Sequence, residues 1–367
     1  MKINLCGKAE TVMSNSSSRH NYFGWPTVTR LKNGRLAAVA SGFRLDHVCP
    51  FGKTVLSFSE DEGKSWTAPA PIIDTVLDDR DGGIMAFGES GVIVTSFNNT
   101  IEFQRNYCQH TPGTAEYRKA YLNLLTPEEE ERDLGATFKI SHDNGVTFSP
   151  LYKSPVTSPH GPVELDDGTV LWVGAVYGSK DDIACHIQAW TVNTENGNMV
   201  KIGEIPQIDY GKAFPCEPHA FDLGGGKIIC HIRVCGGGID GENVFTTYQS
   251  VSEDSGKTWS EPVAILDVEG GAPAHIMRHS SGVLISVYGY RLAPFGVKAM
   301  FSFDEGKTWD VGHDIYVNGV NLDLGYPSSV ELSDGSILTV FYAHAKSGEP
   351  ATILQQKWTF EKEKEKV

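Results

Sequence analysis

Positive charge is what this 367-residue chain lacks most. Its 31 Lys and Arg face 46 Asp and Glu, for a formal charge of −15. That deficit argues against nucleic acid and anionic membrane surfaces as partners. An anionic substrate would need a locally basic pocket against this background. No apolar run approaches the ~18 residues of a membrane helix. The opening Met1-Lys2-Ile3-Asn4-Leu5-Cys6-Gly7-Lys8 carries no hydrophobic signal segment. A cytoplasmic protein is expected, with a mature secreted form as the alternative. Seven cysteines at scattered spacings are an odd number, so reduced thiols are expected rather than a disulfide framework. There is no C-x-x-C pair, and neither metal nor cofactor is expected. The closing Glu361-Lys362-Glu363-Lys364-Glu365-Lys366-Val367 reads as a solvated, frayed end.

What the chain does have is repetition. The pattern S-x-D-x-G-x-[ST]-[WF] occurs four times, at Ser59–Trp66, Ser141–Phe148, Ser252–Trp259 and Ser302–Trp309. Each copy follows an apolar run and reads as a β-hairpin turn. The aspartate can accept backbone N–H bonds within the turn, and the glycine supplies a positive φ. The aromatic residue opens the next strand and can pack between sheets. Asp61, Asp143, Asp254 and Asp304 are therefore expected to be structural.

A second repeat runs out of phase with the first: a strand, a tight turn and another strand. Copies begin at Trp25-Pro26, Asp81-Gly82, His160-Gly161, Glu217-Pro218, Pro273-Ala274 and Tyr326-Pro327. Successive starts lie about 55 residues apart, except for one longer interval after the second. Six such units, each of about four strands, describe a six-bladed β-propeller. The whole chain, 1–367, is read as one all-β domain. The long interval holds an insertion in the second blade, at about 104–133. Its run Thr126-Pro127-Glu128-Glu129-Glu130-Glu131-Arg132 looks like a capped helix start. The third unit has no clean turn signature, and Thr194-Glu195-Asn196-Gly197-Asn198 reads as its worn version.

In a propeller the innermost strands line a central depression, so the residues opening them converge. Arg44, Asp46 and His47 come from the first blade, and Arg80 and Asp81 from the second. His160 comes from the third, and Cys216, Glu217, His219 and Arg233 from the fourth. The fifth gives His275 and Arg291, and the sixth Tyr326. Burying such groups unpaired is costly, which marks the cluster as a candidate functional site. Cys216 reads as a buried small residue. The histidines His160, His219 and His275 could bond substrate, serve structure, bind a metal or act as bases.

Asp boxes on six blades resemble the sialidase (neuraminidase) superfamily over nearly the whole chain. The segment from Glu217-Pro218-His219 to His231-Ile232-Arg233 is similar to the stretch joining the glutamate partner of the nucleophile to a substrate-binding arginine. The segment around Gly325-Tyr326-Pro327 is similar to the one carrying the tyrosine nucleophile. Phe43-Arg44-Leu45-Asp46-His47 resembles the region of the catalytic aspartate. The resemblance implies an exo-acting glycoside hydrolase with Tyr326 as nucleophile, Glu217 as its base and Asp46 as acid/base. It implies retention, and a glycan or oligosaccharide as the partner. Two departures stand out. Gly24 occupies the place of the first substrate-binding arginine, and Lys298 or Arg291 is the only basic candidate for the third. A neutral tyrosine nucleophile favours an acidic sugar, whereas Gly24 argues against ordinary sialic acid. The competing readings are a polysaccharide lyase using His and Tyr, and a non-catalytic glycan-binding propeller.

Overall fold

Six separate antiparallel sheets follow one another along the chain. The computed structural model describes residues 1–108, 112–177, 185–237 and 243–362. Most of the charged tail read as frayed lies outside the described residues. The first blade runs through strands Tyr22–Arg30, Leu36–Arg44, Lys53–Ser59 and Ala70–Ile73. The second uses Arg80–Phe87, Gly91–Phe97, Ala136–Ser141 and Tyr152–Ser154. The fourth spans Lys212–Gly224 to Val263–Ala264, and the fifth Ala274–Arg278 to Asp310–Tyr316. In the third the inner strand is broken into Val156–Thr157 and Val163–Glu164, both paired to Val170–Val176. This is the six-bladed propeller expected from the repeats.

The middle strands show why the blades stack. Leu36-Ala37-Ala38-Val39-Ala40 is buried at every residue rather than alternately. Such a strand has apolar neighbours on both faces. Hydrophobic clusters accordingly bridge successive blades; one joins Val28, Leu36 and Val55 of the first to Val330, Leu338 and Tyr342 of the sixth. Each fully buried large side chain contributes roughly 1.5–3 kcal/mol.

The sixth blade closes the ring from both ends of the sequence. Its strands Gly325–Glu331, Ile337–His344 and Ala351–Glu361 take Lys2–Leu5 as an outer partner, with Lys2 opposite Glu361 and Leu5 opposite Trp358. Glu10–Met13 also pairs with the third of these strands. No hairpin joins that strand to Lys2–Leu5, so the sixth blade has no place for an Asp box.

The four Asp boxes are turns bracketed by their own side chains. Ser59 Oγ accepts the Gly63 N–H at 2.9 Å and donates to Asp61 Oδ1 at 2.9 Å. Asp61 then accepts the Ser65 N–H at 2.8 Å and its hydroxyl at 2.6 Å. The same bonds recur around Asp143, Asp254 and Asp304. These donors hold the Asp61 and Asp304 carboxyls down at about 2. Gly63 has φ +80°, and a Cβ there would stand 2.8 Å from Leu338 of the neighbouring blade. The third blade's turn instead rests on Asn193, whose Oδ1 accepts N–H groups of Glu195 and Asn196.

The insertion folds as helices Ile101–Tyr107, Pro112–Leu122 and Pro127–Asp133. It starts earlier than the 104 expected, because Thr100 caps the first helix by accepting the Phe103 N–H. Its residues 109–111 lie outside the described residues. The capped start at Thr126 is present, with a reciprocal bond to Glu129. No helix among the described residues is long and apolar enough to cross a membrane.

Candidate active site

Four inner strands carry the same distortion at the same place. Trp25, Asp81, Glu217 and Tyr326 have φ of 55°, 48°, 48° and 51°. The register of each strand against its neighbour shifts there. A left-handed non-glycine residue in a bulge is costly and re-aims its side chain. Here it swings side chains from four blades towards one axial depression. In the third blade the corresponding left-handed residue is Gly161, φ 79°.

The centre of the depression is a Tyr–Glu–Arg cluster. Tyr326 Oη donates to Glu217 Oε1 at 2.5 Å. Arg233 Nη1 donates to Glu217 Oε2 at 2.7 Å and to Tyr326 Oη at 3.1 Å. Burial, reinforced by the Glu217 charge, pushes the Tyr326 phenol well above its ordinary range, so it is neutral at rest. Arg233 and Arg291 both stack on Phe245, at 5.0 and 4.8 Å, and Arg291 also lies 5.9 Å from the Tyr326 ring. Arg291 Nε is anchored on the Leu324 carbonyl.

Trp25 forms the adjoining wall. Its indole lies edge-on to Tyr326 at 6.4 Å and to His47 at 4.9 Å. The Arg80 guanidinium stands 4.2 Å over it and Arg44 4.9 Å. Asp81, next to Arg80, is 4% exposed, and its Oδ1 has no hydrogen-bond partner. Burial pushes its carboxyl up to about 7, opposed by Arg80 and reinforced by Glu217.

A carboxylate hub lies beside Gly24. Asp323 accepts hydrogen bonds from Tyr22 at 2.9 Å, Tyr342 at 3.0 Å, His47 Nδ1 at 3.0 Å and His344 Nε2 at 2.9 Å. Burial alone would raise Asp323, but the bonds from His344, His47 and Tyr22 hold it well below the usual carboxylate range. Gly24 lies beside this hub: a Cβ there would meet the Tyr22 ring at 3.5 Å and the Tyr342 ring at 3.6 Å. Sequence reasoning missed Asp323, Tyr22, Tyr342 and His344. They come from three separate segments and share no motif.

Asp46 and His47 sit on the loop after Leu36–Arg44. Asp46 Oδ1 accepts the His47 N–H at 2.7 Å, and Oδ2 lies 3.5 Å from Arg118 of the insertion. The insertion also stacks Tyr107 on the His47 ring at 6.1 Å. It therefore packs on the loop that carries Asp46. Two expected substrate contacts are corrected. Arg44 is fully buried, bonded to Asp78 at 2.9 Å, to Ser41 and to the His47 carbonyl; it fixes the loop from behind. Lys298 is on the third strand of its blade, paired with Asp314 at 2.6 Å. There it lines a groove of about 1050 Å³ with Tyr288, Tyr290 and Val311. Neither Glu217 nor Tyr326 borders that groove.

His160, His219 and His275 do converge, with ring centroids 5.1, 5.4 and 4.4 Å apart. Their environment fixes their protons. His219 Nδ1 accepts the Ile276 N–H and His275 Nδ1 the Ser329 N–H, so both present Nε2–H. Thr27 Oγ1 donates to the Pro159 carbonyl and accepts from His160 Nδ1, which leaves His160 Nε2 as an acceptor. Burial lowers all three, keeping them neutral. Two N–H donors and one lone pair suit a hydroxyl or a water, not a cation. Among the described residues no cluster of His, Cys, Asp and Glu could hold a metal.

Residues 120–339 match the model of the BNR repeat-like domain. The chain belongs to that family. Among curated proteins none matches it in sequence. Among solved structures it is similar to a Dyadobacter fermentans protein of unknown function, at 18% identity and TM-score 0.76, covering 98% of this chain and 99% of that one. It is similar to the NanB sialidase of Streptococcus pneumoniae, at 13% identity and TM-score 0.65, over 96% of this chain and 71% of that one. It is also similar to the α-L-arabinofuranosidase Arb93A of Fusarium graminearum, at 12% identity and TM-score 0.62, over 97% and 98%. At such identities the likeness is one of fold, the six-bladed propeller.

Proposed function

We propose that the protein is an exo-acting glycoside hydrolase that releases a terminal acidic sugar with retention. The observation that carries this reading is the Tyr326–Glu217 hydrogen bond of 2.5 Å, with Arg233 on both partners. A phenol is a weak nucleophile at neutral pH and needs an adjacent base. Glu217 takes the Tyr326 proton as Oη attacks the anomeric carbon. Asp46 protonates the leaving oxygen and then activates water. A neutral attacking group suits a sugar with its own carboxylate beside that carbon, where an anion would be repelled. Arg233 and Arg291, both beside Tyr326, are the groups to hold such a carboxylate.

One observation favours a second reading, a neutral sugar. The hub around Gly24 offers the Asp323 carboxylate and tyrosines where the resemblance would put the first arginine. Glu217 would then be the nucleophile and Tyr326 would orient it. The lyase reading loses support, since two of the buried histidines have Nδ1 occupied by backbone N–H groups.

A hydrolysis screen over aryl sialosides, other ulosonides, uronides and neutral pentosides and hexosides separates these readings, with Y326F run in parallel. Release from an acidic glycoside that vanishes in Y326F supports the first. Release from a neutral glycoside that persists in Y326F moves the nucleophile to Glu217. Binding without release in the parent protein would leave a glycan-binding propeller.

A further inference from the structure

The fourth blade carries two cysteines against the charged cluster. Cys216 immediately precedes Glu217 and stands opposite Arg233 in the strand register. Cys235 lies two residues beyond Arg233, on the same face of its strand. Their sulfurs are 3.8 Å apart. Both residues are only half-buried, whereas Cys49, Cys108 and Cys230 are buried.

The two thiols differ in readiness to react. The hydrogen bond from Cys216 and the charge of Arg233 lower the Cys235 thiol, while Cys216 is raised. A thiolate next to a guanidinium is the usual setting for a reactive cysteine. Cys235 is thus the attacking sulfur and Cys216 the resolving one.

We propose that Cys216 and Cys235 form a reversible disulfide that displaces Glu217 relative to Arg233 and Tyr326; the displacement, not the disulfide, rests on the site described above. The oxidant is a low-molecular-weight or protein disulfide. The Cys235 thiolate attacks one of its sulfurs, forming a mixed disulfide and expelling one thiolate. Cys216 gives up its proton and attacks the Cys235 sulfur, expelling the second. Two protein thiols are oxidised and one disulfide is reduced to two thiols. A disulfide brings its sulfurs to ~2.05 Å, so the sulfurs must approach by about 1.8 Å, through side-chain rotation together with movement of the two paired strands. Glu217, one residue from Cys216 and already in a strained bulge, is the residue that the strand's share of this movement displaces.

The test uses the full chain, reduced and then exposed to oxidised glutathione, followed by alkylation and non-reducing peptide mapping. The expected product is a single Cys216–Cys235 cross-link, reversed by dithiothreitol. In C216S, glutathione should remain attached to Cys235; in C235S the cross-link should be lost. Mixed disulfides at exposed Cys6 with no Cys216–Cys235 cross-link would overturn the disulfide. The displacement is read separately, without turnover, from carbon-13-labelled tyrosine, with Y326F assigning the Tyr326 resonance. Oxidation should shift that resonance in the parent and leave it in place in C235S, which lacks the attacking sulfur. A cross-link that leaves the Tyr326 resonance unmoved would overturn the displacement. Absence of hydrolysis in the reduced protein would instead count against the glycosidase reading and leave both measurements standing.

Discussion

The outer turns and the inner bulges of this propeller use the same strained backbone for opposite ends. At the Asp boxes Glu62, Asn144, Ser255 and Glu305 have positive φ; at the bulges Trp25, Asp81, Glu217 and Tyr326 do. In the boxes the same Ser, Asp and Gly recur around that residue, and the polar groups of the Ser and Asp are consumed inside the turn. At the bulges the left-handed residue is different in every blade, and its side chain reaches across to another. Glu217 meets Tyr326 and Trp25 faces Tyr326. Strain repeated with the same chemistry builds the fold, and strain repeated with different chemistry builds the site. Copy number alone would have pointed to the wrong acids.

Substitutions should separate the two regions. The largest effect is expected at the bulges. Y326F should lower kcat/KM by roughly 10³-fold or more, and E217Q by about 10²–10⁴-fold, with circular dichroism unchanged. Steady-state kinetics on whichever glycoside the parent cleaves provides the check. If both variants keep parental rates, the bulge residues are not the catalytic set.

Next in size is the hub. Asp323 accepts four side-chain hydrogen bonds within the depression. Asp323→Ala should cost about 2–3 kcal/mol in urea unfolding, because hydrogen bonds to a charged acceptor are worth about that much. An unchanged midpoint would show that the hub carries no stability.

Two buried acids contribute to the pH dependence. Asp79 and Asp81 are both pushed up to about 7 by burial. A carboxyl raised in the folded state opposes folding once it must ionise. Its penalty is absent below the ordinary carboxylate range and grows as pH rises towards 7. Asp323 works the other way, since its stabilising effect is lost only in strong acid. The buried histidines pull the other way, because folding must strip their protons below the ordinary imidazole range. The effect of Asp81 is therefore read as a difference, and D81N should gain thermal stability relative to the parent as pH rises from about 5 to about 7. A difference between parent and D81N that stays constant over this range would mean Asp81 is ionised without penalty.

The smallest effect belongs to an outer turn. Ser59→Ala removes the acceptor for the Gly63 N–H and should cost about 1 kcal/mol. Turnover should stay at the parental level. A large loss of activity would break the division between turns and bulges.

Much of this was legible in the sequence. The boxes and the six strand–turn–strand units repeat because each blade solves the same packing problem, and repetition survives translation into structure. Glu217 and Tyr326 were legible because they stand at repeat starts, and Arg233 because it closes the segment from Glu217 that carries the resemblance. Asp323 was not: its partners lie on two strands of different blades and on a loop, and nothing in Asn321-Leu322-Asp323 signals four convergent donors. The role of Arg44 was misread for a related reason. Burial behind Asp78 depends on the link between two blades, which has no pattern of its own. The N-terminal strands that close the ring were hidden likewise, since their partner lies at the far end of the chain.

The most direct test of the account is to trap the covalent intermediate. A fluorinated acidic glycosyl fluoride slows the second step, so the glycosyl-enzyme accumulates for intact-mass and peptide analysis. The account requires one sugar per chain, on the peptide and side chain of Tyr326, and none in Y326F. A sugar on Glu217, in the parent and in Y326F alike, would contradict it and make Tyr326 an orienting residue.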